Sequence, residues 1–364
     1  MVTRSILALV SLSLSFFPTA LASLLAIDYG TDWTKASLMK PGVPFDVLLG
    51  KDSKRKIHAS VGWNREDRLF STDAFNIASS SPCIIRIRLS DQICFMDCQA
   101  TRFPQDSFPS LKHIIGSQFS SNKTWYYTQV GQGVVLETDR GTVTLERTNN
   151  GGTKWTVEEL IGMQLAHIRS LAEDVASERV TDLVLTVPAF FSHAQRRALL
   201  DAAEIAGLKP LALLNDGSAV ALNYAMTRSF PAKEHHIIFD AGAGSIRATV
   251  ASFHSPDAKP ASESKKTSKS KSPSKESVNI DILGYGYDIT ASGNELTRRL
   301  RDVFVEQFEK KHDFSISRHG RARARLWKEA ERVKGILSAN ANSRSTVCPY
   351  ADLCKHTRLI YDIG

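Results

Sequence analysis

The sequence predicts an α/β fold built as two lobes. Two observations carry that prediction. Strand patterns and helix patterns alternate from Leu24 onward, as in sheets covered by helices. One supersecondary pattern also occurs twice: an apolar strand, an Asp at its end, then a small-residue turn into a second strand. The copies are Ile27-Asp28-Tyr29-Gly30-Thr31 and Phe239-Asp240-Ala241-Gly242-Ala243-Gly244-Ser245.

The elements follow in order. Leu24 to Asp28 reads as a short apolar strand, and Ala36 to Met39 as its return. Tyr126 to Leu145 holds β-rich pieces separated by Gly turns. Thr156 and Glu159 have capping-box spacing. Ile161, Leu165, Ile168, Ala172 and Val175 then recur at helical spacing. Asp182 to Val187 is a buried strand stopped by Pro188. Ser192 and Gln195 form a second capping box, and Gly207 closes that helix. Leu211 to Leu214 is a strand, and a helix runs from Asp216 to Arg228. His235 to Phe239, Ile246 to Phe253 and Val278 to Leu283 are strands. Amphipathic helices near Glu295 to Lys311 and Arg318 to Ala339 follow. His235 and His236 read as core or edge histidines rather than metal ligands.

The 364 residues are 42% hydrophobic, a normal globular content. Residues 1–22 read as a signal peptide. Arg4 supplies its charge, Ile6 to Phe17 its apolar run, and Thr19-Ala20-Leu21-Ala22 its cleavage site. An uncleaved anchor is the alternative, and no other stretch reads as a membrane span. The net charge is +8. Part of it sits in the Ser/Lys/Pro-rich run 255–277, where six lysines face three acids and no aromatic residue interleaves. That run reads as a solvated insertion loop between strands, not as a nucleic-acid surface. Asn122-Lys123-Thr124 is an N-glycosylation sequon, so Asn122 is a candidate acceptor in a secreted chain.

The two hairpins carry the chemistry. Their turns present backbone N–H groups where phosphate oxygens can approach without a Cβ in the way. Asp28 and Asp240 can each hold water on a Mg²⁺ that bridges those phosphates. Facing each other, the hairpins would clamp a nucleoside triphosphate. Other phosphate motifs fail. Phe45 and Asp52 break the P-loop pattern around Gly50-Lys51, and Arg247 breaks the dinucleotide pattern that Gly242 and Gly244 begin. No G-x-S-x-G elbow occurs.

The hairpins resemble the phosphate loops of the actin, sugar kinase and seventy-kilodalton heat-shock ATPase superfamily. Further stretches are similar to the heat-shock chaperones. They are Phe103-Pro104-Gln105-Asp106-Ser107-Phe108, Lys112-His113-Ile114-Ile115-Gly116 and Leu185-Thr186-Val187-Pro188-Ala189-Phe190-Phe191. Gln195-Arg196-Arg197, Ile205-Ala206-Gly207-Leu208 and Lys328-Glu329-Ala330-Glu331-Arg332-Val333-Lys334 complete them. The leader, the Ser/Lys insertion and the Gly242 to Ser245 wording resemble the large endoplasmic-reticulum lumenal branch of that family.

The resemblance implies an actin-like, ribonuclease H-like two-lobed ATPase fold, incomplete at its C-terminus and exposing unfinished core in its second lobe. Lobe I would span 23–214 and a partial lobe II 215–342. ATP or ADP with Mg²⁺ is the implied cofactor. Asp28 and Asp240 would hold the ion through water. Gly30, Thr31, Gly242, Gly244 and Ser245 would line the phosphates, with Asp32 and Trp33 completing the first loop. Lys112 aligns with the lysine that positions the γ-phosphate. Glu331, Lys334 and Ser338 align with adenosine contacts and share a helix face. Implied partners are a shorter lumenal chaperone of the same family, through nucleotide exchange, and unfolded clients, through a region beyond this chain.

Three departures weaken hydrolysis. Asp216 replaces the family's Glu after Asn215, Arg247 replaces its second Asp, and Asp32 replaces a Thr. A cation at 247 could replace a bound K⁺. The chain is therefore expected to bind ATP better than it hydrolyses it. Cys83, Cys94 and Cys98 fall in a 22-residue interruption, 80–101, and Cys348 and Cys354 in a divergent tail, 343–364. The expected origins are a retained in-frame intron for the first and a shifted frame or unspliced end for the second. The alternative, a zinc site from these cysteines and His356, matches no standard spacing. Two rival functions stay open: a sugar kinase of the same superfamily, and a truncated product without activity.

Overall fold

The computed structural model describes residues 23–42, 46–79, 84–89, 92–97, 104–148, 151–255, 277–311, 315–316, 319–347 and 359–363. The expected leader at 1–22, most of the Ser/Lys run, Cys83, Cys98, Cys348, Cys354 and His356 lie outside them.

A five-stranded sheet organises the first half. Its strands are β1 (Leu24–Tyr29), β2 (Trp33–Met39), β3 (Ile57–His58), β12 (Asp182–Val187) and β13 (Lys209–Asn215), in the order β13-β12-β1-β2-β3. β1 pairs parallel with β12 and antiparallel with β2, so both ends of the first hairpin are fixed. Alternation along β1 buries Leu25, Ile27 and Tyr29 and turns Asp28 outward. The sequence between β3 and β12 builds smaller pieces. They are β4 (Ser60–Asn64), β5 (Asp67–Phe70), α1 (Ser71–Ser79), the hairpin β6–β7 (Ile84–Leu89 and Gln92–Asp97) and β8 (Ser107–Pro109). The helix α2 (Asn122–Val130) and the three-stranded β9 (Val134–Glu137), β10 (Val143–Arg147) and β11 (Thr153–Thr156) follow.

Both capping boxes are present. Thr156 and Glu159 start α3 (Val157–Ala176), and Ser192 and Gln195 start α4 (His193–Ile205). The apolar stripe of α3 is buried at Ile161, Leu165, Ile168 and Ala172, but Val175 is exposed and Ala176 takes the core position. Tyr126 to Val130 was expected as strand and is helix. Its aromatic and β-branched composition favours a strand. A Ser121 cap accepting from the Thr124 N–H, and the burial of Tyr127 and Val130 three apart, decide for helix.

The second half holds α5 (Asp216–Met226), the sheet β14-β15-β16 (Glu234–Ala241, Ile246–His254 and Asn279–Asp288), α6 (Gly293–Lys311) and α7 (Gly320–Leu337). A last hairpin pairs β17 (Ser343–Val347) with β18 (Leu359–Ile363). His236 lies on the edge strand β14 and meets Glu234 at 2.9 Å.

Three apolar clusters form the core. The largest runs from Leu25 to Leu208 and packs α3 and α4 on the five-stranded sheet. A second joins Phe304 and Phe308 of α6 to Leu326 and Val333 of α7, and a third centres on Phe230 and Phe253. Each fully buried Leu or Phe contributes about 1.5–3 kcal/mol. The outer face of β14-β15-β16 stays open, with Ile237 72% and Phe239 66% exposed. No helix among the described residues is long and apolar enough to cross a membrane.

Candidate functional site

The two hairpin turns meet. A Cβ placed on Gly244 would stand 2.3 Å from Thr31 Oγ1, so only glycine allows this approach of turns more than two hundred residues apart in the chain. Gly30 is constrained within its own turn, where a Cβ would stand 2.1 Å from the Trp33 carbonyl oxygen. In the second turn the Gly242 N–H donates to Ser245 O at 3.0 Å. The first two N–H groups of α6 hold this turn from outside: Gly293 donates to Gly242 O and Asn294 to Ala243 O.

Lys112 lies behind the turns. It sits in a short 3-10 turn, Leu111–His113, entered through Ser110 in the left-handed region (φ 54°). That backbone costs roughly 1–3 kcal/mol. The Ser110 hydroxyl holds it by donating to Asp32 Oδ1 at 2.6 Å. The buried Lys112 ammonium donates to the Tyr29 carbonyl and lies 5.8 Å from the Phe191 ring centre. Burial, reinforced by the Arg247 charge, lowers its pKa to about 8 against the pull of Asp28, Asp216 and Asp240.

The acids divide. Asp28 faces solvent and accepts from the Thr186 hydroxyl at 2.7 Å. Asp216 and Asp240 are both bound by Arg247, whose Nη1 donates to Asp216 and Nη2 to Asp240. Burial raises the Asp216 pKa and Arg247 opposes it. Among the described residues no three carboxylate, imidazole or thiol groups are placed to hold a metal ion. A Mg²⁺ on Asp240 would compete with a guanidinium already there. The residues present fit phosphate at the turns, and at Asp240 they do not fit the ion that Asp28 and Asp240 were expected to hold through water, while Asp28 stays open to solvent.

The other expected contacts scatter. Glu331 lines a cavity between the halves with Asp32, His58, Ser110 and Trp327. Burial and the nearby Asp32 raise its pKa. Lys334 donates to Gly293 O (3.1 Å) and Thr297 Oγ1 (2.8 Å), so it ties α7 to the start of α6. Ser338 is exposed and donates to Gly335 O. Trp33 stands edge-on to the His58 ring at 4.9 Å. Asn122 is exposed at the start of α2, away from the turns, while Thr124 of the same sequon is buried.

Asn294 was not expected. Its amide donates to Asp32 Oδ1 at 3.1 Å and lies 3.4 Å from His113 Nε2. Two arginines close the cleft nearby. Arg301 donates to Gln129 O and Arg323 to Thr128 O, both at the C-terminal end of α2. Nothing in the local pattern marks these residues, because each acts across more than 170 residues of chain.

His58 and His113 set an acid limit. Burial lowers both to a pKa of about 4, although Asp32 pulls each upward. Unfolded histidines take up a proton near pH 6.5, and the folded rings do not until about pH 4. The contribution of these two residues to stability is therefore complete above pH 6.5 and falls as pH drops through that window. Urea melts are expected to show a loss of about 2–4 kcal/mol from pH 7 to pH 5. The double variant His58→Asn, His113→Asn should lose at least about 1 kcal/mol less over the same interval. Equal losses in both proteins would place the acid sensitivity elsewhere.

Known proteins are similar to this sequence. The family model described as "Hsp70 protein" matches residues 97–259 and 277–353. The second match runs past residue 343, where the tail was expected to diverge. The chain is 35% identical over 353 residues to "Heat shock protein 70 homolog lhs1" of Schizosaccharomyces pombe, covering 96% of this chain and 38% of that protein. It is 34% identical over 352 residues to "Hypoxia up-regulated protein 1" of Danio rerio, covering 94% of this chain and 32% of that protein. The protein of that name in Homo sapiens is 30% identical over 332 residues, 89% of this chain and 30% of its own length. The chain thus spans about a third of the length of these relatives.

Proposed function

The chain belongs to the Hsp70 family, and from that premise we propose that its facing turns bind the phosphates of ATP or ADP within a chaperone of the endoplasmic reticulum lumen. Its α/β fold is the actin-like nucleotide-binding fold of that family. One observation carries the nucleotide reading: Gly244 and Thr31 bring two phosphate-type turns into contact, with the Lys112 ammonium behind them. Backbone N–H groups in such turns recognise anions without side-chain specificity. Glu331 lines the adjoining cavity, which supports a role for it at the nucleoside end.

Hydrolysis is weak in this reading. Asp216 is engaged by Arg247 and by its neighbour's Gly217 N–H at 2.8 Å, so it is not free to position water. Nucleotide exchange on a shorter lumenal family member, and the holding of unfolded clients, are the further roles this reading proposes. The leader-like residues 1–22 support the lumenal location. A core cluster that ends at Leu208 and another that begins at Ala221 support domain limits of 23–214 and 215–342.

Calorimetric titration of the whole chain with ADP tests the reading. Saturable one-to-one binding is expected, weakened about tenfold or more in Glu331→Ala. Absence of binding would overturn it, and unchanged affinity in Glu331→Ala would remove that residue from the site.

A further inference from the structure

We propose that Arg247 is a built-in cation which fills the seat between Asp216 and Asp240, so that this chain binds nucleotide without needing magnesium. The proposal rests on the nucleotide reading above and concerns the same site.

The geometry is specific. Arg247 lies on β15 directly across from Asp240 on β14, while Asp216 opens α5. One planar guanidinium reaches both carboxylates, one through each Nη. A fork of fixed donors suits such a bridge in a way that a single ammonium does not. The side chain is only 18% exposed. Its Nη2 would come within 3.3 Å of a Cβ on Gly242, so the cation is packed beneath the second turn. Its Nε is buried and has no acceptor among the described residues, so the two carboxylates do not exhaust the guanidinium's donors.

The charges follow. Asp28, Asp216 and Asp240 face Lys112 and Arg247, which leaves one net negative charge in place of the two that a neutral residue at 247 would leave. A guanidinium cannot lose its proton in a protein. A divalent ion therefore meets a site with only one net negative charge and must displace a bidentate partner to enter. The same bridge screens the nucleotide's phosphates from both acids. Magnesium commonly bridges carboxylates to substrate phosphates, and here a covalently attached cation does so.

ADP titrations of the whole chain in magnesium and in EDTA test this. Wild-type affinity should change by less than about threefold between the two conditions. Arg247→Met should lose about tenfold or more in EDTA and recover it in magnesium. A wild-type loss of about tenfold in EDTA would overturn the proposal and leave nucleotide binding intact. No ADP binding in either condition would overturn the nucleotide reading and this proposal with it. Should Arg247→Met fail to fold by circular dichroism, Arg247→Lys serves. Its ammonium spans the two acids poorly, so a magnesium dependence of about threefold or more supports the proposal and none counts against it.

Discussion

Gly244→Ala and Gly30→Ala are each expected to weaken ADP binding by about a hundredfold or more. In Gly244→Ala the new methyl group would stand 2.3 Å from Thr31 Oγ1 and 3.1 Å from both Thr31 Cβ and Cγ2. Rotating the threonine exchanges one clash for another, so the turns must part. In Gly30→Ala the clash is with the backbone oxygen of Trp33, which no rotamer relieves. Overpacking of this kind costs about 1–3 kcal/mol of stability. That leaves the fold largely intact, since the main core is built on the sheet and α3. Gly335→Ala is the control. Nothing lies within 4 Å of its added Cβ, and helix propensity should make it neutral or slightly stabilising. Calorimetry with ADP, beside urea melts, separates binding from folding. ADP affinities within about threefold of wild type in both turn variants would show that the turns do not hold phosphate.

Lys112→Met should produce a protein that is more stable and binds nucleotide more weakly. The lysine is held charged at neutral pH in a site that lowers its pKa to about 8. Unfolded lysines keep their proton to about pH 10.4. Between these values the unfolded chain binds more protons than the folded one, so stability rises with pH through that window and is lowest below it. Methionine removes the buried charge at similar volume, an exchange that is often stabilising by about 1–4 kcal/mol. Urea melts at pH 7 should therefore favour the variant by about 1–3 kcal/mol, and the wild-type rise toward pH 10 should be absent from it. ADP affinity should fall by about tenfold or more, because the ammonium is bonded to the Tyr29 carbonyl at the first turn. A variant less stable than wild type at pH 7 would show that the bond to Tyr29 outweighs the burial.

Local chemistry was legible in the sequence. Both capping boxes and the order of the strands are stated by spacings of a few residues, and the structure has them. The two Asp-turn hairpins were legible for the same reason. Their contact was expected from their likeness, and a single methyl-sized space at Gly244 permits it. Arg247 was visible as a departure, but its bond to Asp216 depends on how α5 approaches β15. Asn294, Arg301 and Arg323 carried no signal, since each meets a backbone or side-chain oxygen supplied by a distant part of the chain. Tyr126 and Tyr127 misled, because aromatic residues favour strands until a cap and a buried face override them.

The pairing of β1 with β12 has a consequence for how the protein is made. Leu24 aligns with Asp182, so the central sheet cannot close until some 158 further residues have left the ribosome. At about 5–20 residues per second that wait lasts roughly 8–30 s. During it, β1 and β2 have only the two-residue β3 to pair with and lack the helices that later cover the sheet, an arrangement that is marginal in water. Leu25, Ile27 and Tyr29, later sealed in the core, stay open to other chains for that time. A family that shelters unfinished proteins thus begins its own synthesis as one, with its first strand the longest exposed.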